Sequence, residues 1–280
     1  MKVYLKYFLP LFLFAASFKM PGQDALHSQF DYAKSLYDKE DYYDAVTEFK
    51  RLLFFDAGNK FGYTANEYIG MSYKMGGKFS DAIRYFVYSE INAANFDELF
   101  TAKINIVRAN ILRRTTDRAL DLLDSMHVQK KFSSKTGDVY YWKGWAYIFA
   151  DRWDKAAESF SKTDSSRTLE ELCRKVERER YSVPFAEIIS HFIPGAGQFY
   201  TGHYLSGLLS LGWNVLWGYL TISAFNAGRT FDGVMIANFL WLRFYNGNLQ
   251  NSSKFAEEEN IKISNRALNY LQYNYSGTKP

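Results

Sequence analysis

Four alanines stand 37 residues apart in similar surroundings: Ala45 in YYDAVTEF, Ala82 in FSDAIRYF, Ala119 in TTDRALDLL and Ala156 in RWDKAAESF. Other columns keep the same phase. Four residues after each alanine stands Phe49, Phe86, Leu123 or Phe160. Twelve before it stands Ala33, Gly70, Val107 or Gly144, and three before it Tyr42, Phe79, Thr116 or Trp153. A chain that holds one period through three intervals folds as a row of similar units, each meeting its neighbours.

Positions four apart share a helix face, so the columns predict two helices per repeat joined by a short turn. The small column on the first helix lets it approach the alanine of the second. The aromatic column fills the gap one turn further on, and the residue three before the alanine caps the turn. One such pair cannot bury its own face, so the pairs stack. These columns are read as core, not as a binding surface.

The pattern resembles the tetratricopeptide-repeat (TPR) family, whose repeat is usually about 34 residues, over roughly residues 26–170. Three extra residues per repeat would lengthen the connections. The family's proline at the end of the second helix is absent, with Ala57, Ala94, Lys131 and Thr168 in its place. The third repeat departs furthest, carrying Val107 and Asn110. The resemblance implies an all-α, TPR-like α-solenoid of four helical hairpins, whose first helices line a groove that holds a peptide. The matching positions are Phe30, Lys34 and Tyr37; Glu67, Met71 and Lys74; Ile104, Arg108 and Ile111; and Tyr141, Trp145 and Ile148. Of these, Phe30, Lys34, Tyr37, Met71, Lys74, Arg108, Tyr141 and Trp145 form the candidate partner-binding set. Trp145, Tyr141 and Arg108 lead it, because aromatic and Arg side chains dominate interface energy. A solvated or self-packed face is the competing reading.

Residues 168–183 are expected to form a helix that seals the open end of the row. Thr168 and Glu171 match the T-x-x-E capping box, and Leu169, Leu172, Cys173 and Val176 recur at helical spacing. Cys173, the single cysteine, reads as a small buried hydrophobe.

Composition then shifts. Leu205 to Phe225 is 21 residues without a charge, long enough to cross a bilayer. A turn is expected at NAGRTFDG, Asn226 to Gly233. A second, marginal run follows from Val234 to Leu242 and is broken by Arg243, which is costly in lipid unless it snorkels or pairs. Residues 185–250 are thus expected to form a two-helix membrane hairpin with both ends on one side. The alternative is a buried helical hairpin in a soluble domain.

Ahead of the first run lies IPGAGQFYTGHYLSG, Ile193 to Gly207, where proline and closely spaced glycines force a turn. It resembles the PG-x-GQ-x-Y-x-G motif that precedes paired membrane helices in small bacterial membrane proteins, the TM2-type hairpin domains among them. Pro194, Gly195, Gly197, Gln198, Tyr200 and Gly202 carry the match as the candidate membrane motif, with Gly207. Further on, Gly247, Asn248, Lys254 and Asn260 are similar to the tail of TPR-linked members, with Ala256 displaced. This resemblance covers about residues 185–262 and implies fold more than activity; some relatives are associated with membrane-protein insertion factors. Residues 251–280 are expected to be an amphipathic helix on protein or membrane, with Ile261, Ile263, Ala267, Leu268, Leu271 and Tyr275 in period. The last residues, SGTKP, are expected to be disordered.

At the start, Lys2 and Lys6 precede an uncharged run of twelve residues, Tyr7 to Phe18. That is short of the roughly 20 residues a span needs but fits the apolar region of a signal peptide, residues 1–23. An uncleaved apolar helix is the alternative. Export combined with helical spans places the chain in a bacterial inner membrane with the repeats facing the periplasm.

A net charge of +4 without any Lys/Arg run beyond two residues offers no footprint for nucleic acid. GAGQFYTG lacks the Lys-Ser/Thr of a phosphate loop. His191 and His203 have no third ligand in spacing, and no nucleophile–base set or carboxylate pair is visible. No cofactor, metal, small-molecule substrate or enzymatic activity is therefore expected. The functional expectation is a non-catalytic, membrane-anchored scaffold or adaptor that binds another cell-envelope protein on the periplasmic side. The alternative is an accessory subunit of a membrane-protein insertion or transport complex, acting through its membrane hairpin.

Overall fold

A computed structural model of the protein describes residues 22–163 and 166–280. The signal-peptide expectation lies outside these residues except at Gly22 and Gln23, where the first helix begins. Among the described residues every regular element is helical. In chain order they are α1 (Gly22–Asp38), α2 (Tyr42–Phe55), α3 (Gly62–Met75), α4 (Phe79–Ile91), α5 (Phe96–Leu112), α6 (Thr116–Val128), α7 (Thr136–Phe149), α8 (Trp153–Phe160) and α9 (Arg167–Glu179). They continue with α10 (Val183–Phe192), α11 (Ala196–Tyr200), α12 (Tyr204–Asn226), α13 (Thr230–Ile236) and α14 (Leu242–Tyr273). A 3₁₀ turn precedes α7, and a π-helical turn, Ala237–Trp241, joins α13 to α14. The chain forms two compact units that meet between Ala109 and Asn110, inside α5.

In the first unit α1 packs on α2, α2 on α3 and α3 on α4. Its core gathers Ala33, Ala45, Phe49, Leu52, Ala65 and Ile69. The small column of the sequence has a direct cause here. A Cβ added at Gly70 would lie 2.6 Å from the Phe86 ring, so the first helix approaches the aromatic of the second over bare backbone. In the second unit the same relation recurs at Gly144, 2.5 Å from the Phe160 ring.

The turn inside each hairpin also repeats. Glu40, Gly77, Arg114 and Asp151 adopt φ of 66°, 71°, 65° and 58°, again 37 residues apart. In each turn the next amide reaches back across five residues: Asp41 to the Leu36 carbonyl at 2.9 Å, Lys78 to Tyr73 at 2.8 Å, Thr115 to Asn110 at 3.0 Å and Arg152 to Tyr147 at 2.9 Å. This closure satisfies carbonyls at the helix end, and the left-handed residue turns the chain. Tyr42, Phe79, Thr116 and Trp153 then each open the second helix of a hairpin.

Two expectations are corrected. The capping box at Thr168 is not formed: α9 begins at Arg167 after Ser166, which puts Thr168 inside the first turn, where a side chain does not cap. Glu171 instead accepts from Arg167 at 3.0 Å. Nor does the chain break at residue 250. α14 runs from Leu242 to Tyr273, because no proline interrupts it and Gly247 alone does not stop a helix held by packing. Its second half docks on protein, burying Ile263, Ala267 and Leu271, with α9 as a neighbour. The buried stripe of α9 is Leu169, Cys173 and Val176. Burial pushes the Cys173 thiol up to about 12, with Glu170 adding to it, so the thiolate needed for chemistry is absent near neutral pH.

Candidate functional site

The positions proposed to line a groove divide between the two units. In the first, Tyr37 on α1, Glu67 and Met71 on α3, and Asn105 and Arg108 on α5 border one cleft of about 440 Å³. A polar chain runs along it. Arg108 donates to Asn105 Oδ1 at 3.3 Å, and Asn105 Nδ2 donates to Glu67 Oε1 at 3.3 Å. Burial raises the Glu67 carboxyl above its ordinary value, against the bonds from Tyr63 and Asn105. Lys74, one turn along α3 from Met71, is only 8% exposed. Burial pushes its ammonium down to about 8, with Arg108 adding repulsion. No carboxylate among the described residues lies within ion-pair distance of it.

Other members of the candidate set are placed differently. Phe30 is a core packer rather than a groove residue: it stacks on Phe61 at 5.2 Å and meets Phe49 and Tyr68 edge-on, because α1 must cover the exposed end of that core. Lys34 pairs with Asp38 one turn on, at 2.6 Å. Ile104, Ile111 and Ile148 are buried.

In the second unit Tyr141 and Trp145 stand four apart on α7, and Trp145 is 2% exposed. It does not present a free surface, because residues following α14 lie against it. The Trp145 and Tyr275 ring centroids are 6.0 Å apart. The Tyr141 and Tyr275 hydroxyls are 3.2 Å apart, and Tyr141 donates to the Thr278 carbonyl. The final residues therefore have a defined place, contrary to the expectation of disorder. Below them, α14 is tied to the last hairpin turn. Asp151 accepts from Arg180 at 2.8 Å, from Ser264 at 2.7 Å and from Trp153 Nε1 at 2.8 Å. Burial works to raise the Asp151 carboxyl, but these bonds, Arg180 first, hold it below its ordinary value.

The glycine-rich motif closes on a single side chain, Asn248 of α14. Its Oδ1 accepts from the Gly195 amide at 2.7 Å, Gln198 Nε2 at 3.0 Å and Ser210 Oγ at 2.8 Å. Its Nδ2 donates to the Ser190 carbonyl at 3.2 Å. One residue thus joins α10, the turn, α11 and α12. The glycines permit this. Gly195 has φ 93°, and a Cβ there would strike the Gly207 carbonyl. A Cβ at Gly197 would strike Ala186, Ser190 and Ser252. Pro194 is half-buried at the turn, Gly202 has φ 82°, and the Tyr200 ring packs edge-on against Tyr181 and Phe185. The candidate set of the sequence named the motif but not Asn248, Ser190 or Ser210, which hold it together. The tail resemblance had marked Asn248, but nothing in the sequence linked it to the glycine-rich turn.

α12 is long and apolar enough to cross a membrane, the one such helix among the described residues. It is 23 residues long without a charge, and Leu205, Leu208, Leu209, Val215, Tyr219 and Ile222 are exposed. α13, the π-turn and the start of α14 pack along it. Among the described residues no group of three His, Cys, Asp or Glu side chains could hold a metal ion. No family model matches the chain, and a search of curated proteins finds no significant match.

Proposed function

We propose that this chain is a membrane-anchored adaptor: four TPR-like hairpins capped by α9, with α12 and the α13–α14 leg inserted in a bilayer as a helical hairpin. The observation that carries the reading is α12. A charge-free helix with this many exposed large apolar side chains is strongly unfavourable in water and favourable in lipid. Four identical left-handed turns at one period support the repeat reading. The cleft of Tyr37, Met71 and Arg108 supplies an aromatic, a flexible apolar and a cationic group, suited to a segment of another envelope protein. If residues 1–23 direct export, the repeats face the periplasm of a bacterial inner membrane, and no catalytic role is assigned.

The alternative has the glycine-rich motif docking on an insertion or transport complex. Gly195, Gly197 and Gln198 are buried and bonded within the chain, so the motif is read as the closure of the hairpin, and the adaptor reading is preferred.

The test is affinity purification of the full chain in mild detergent, beside a Met71→Glu/Arg108→Ala form. A stoichiometric envelope partner recovered with the unaltered chain and lost with the variant supports the cleft. Undiminished recovery with the variant removes the cleft from the function.

A further inference from the structure

The Tyr141–Trp145 face of α7 already holds a peptide: the chain's own segment Tyr275–Pro280. α14 ends at Tyr273, and the following residues turn back over α7 without regular structure. Tyr275 lies against both aromatic side chains, and Thr278 receives the Tyr141 hydroxyl. Lys279 secures the fold-back by donating to the Gln272 carbonyl at 2.8 Å. The fit is incomplete in two respects. A cleft of about 670 Å³ stays open beside the tail, lined by Asp138, Tyr141 and Lys162 together with Tyr275 and Thr278. Trp145 Nε1 is buried and finds no acceptor among the described residues, although buried indole N–H groups ordinarily have one.

We propose that this face is a docking site for an extended, tyrosine-bearing peptide, and that residues Tyr275–Pro280 occupy it as an intramolecular ligand that an incoming segment must displace. An extended peptide with a backbone carbonyl opposite Trp145 Nε1 would satisfy the donor that the tail leaves unmet, which gives it an advantage over the tail. The tail's own advantage is tethering. A short linker presents it at roughly millimolar effective concentration, so a free peptide that binds at about 0.1 mM is held off about ten-fold. The inference rests on the adaptor reading only in supposing that an outside segment arrives; occupancy by the tail is tested without any partner.

The probe is a fluorescent synthetic peptide of Asn274–Pro280, titrated against the full chain in detergent micelles. Full-length Tyr275→Ala chain should bind it at least ten-fold more tightly than the unaltered chain, and a further Tyr141→Phe change should abolish that gain. Equal binding by both chains, or binding by neither while Tyr275→Ala keeps its melting temperature, overturns the proposal. A second readout uses the intact tail. Chymotrypsin should cut after Tyr275 in the unaltered chain at least ten-fold more slowly than in Tyr141→Phe, and equal cutting also overturns it. Partner recovery that fails while the peptide binds would count against the adaptor reading alone.

Discussion

Lys74 is the residue whose environment disagrees most with its chemistry. The unfolded chain keeps its proton up to about 10.5 and the folded chain only up to about 8. Between those values the unfolded state binds more protons, so stability should rise as pH rises from about 8 to about 10.5 and be flat in this respect on either side. Lys74→Met, which keeps all but the terminal atom's length of the side chain and removes the charge, should stabilise the protein by about 1 kcal/mol near pH 7. It should also flatten that window in thermal unfolding at stepped pH. An unchanged pH profile in the variant would show that the ammonium escapes to water. The sequence placed Lys74 in a groove because it marks only helical phase. How far α5 with Arg108 closes over it depends on packing that phase does not encode.

At the scale of the element, the hairpin turn is the most regular feature of the protein and the least visible in its sequence. Its left-handed position holds Glu40, Gly77, Arg114 and Asp151, four residues with no shared chemistry. Only glycine takes that conformation without steric cost. Arg114 is retained through a bond to the Phe149 carbonyl and its place over the Phe149 ring, and Asp151 through Arg180, Ser264 and Trp153. Glu40 has no comparable role. Glu40→Gly should therefore stabilise the protein by about 0.5–1 kcal/mol, while Asp151→Gly should destabilise it by about 1–2 kcal/mol despite relieving the same strain. Denaturant midpoints of the two variants test this; shifts of the same sign would remove the distinction. The helices themselves were legible, since Ala45, Ala82, Ala119 and Ala156, and the large residues four further on, are all fully buried. The glycine-rich motif was legible as a turn, but not as a cradle around Asn248. Its partners come from four elements up to 58 residues away, and single-sequence spacing carries no signal for that convergence.

For the whole molecule, the exposed apolar helix α12 is the feature on which the proposed membrane anchoring is tested. The full chain should stay in the membrane pellet through an alkaline carbonate wash and come out with detergent. Val215→Arg, at a position that is 63% exposed near the middle of α12, should weaken insertion by about 2.5–3.5 kcal/mol and shift protein into the wash. Release of the unaltered chain by carbonate alone would defeat the membrane reading.

Period, composition and run length are properties of neighbouring residues, and they sufficed for an all-helical chain, a buried column of large residues and one helix of membrane-spanning length. Helical faces and hydrophobic runs are local, so a linear sequence displays them. The closure of Asn248 on the glycine-rich turn, the docking of α14 on Asp151 and the seating of the final residues on α7 are contacts between residues 50 to 137 positions apart. They depend on where whole helices come to rest, which is set by the sum of their packing and not by any one segment.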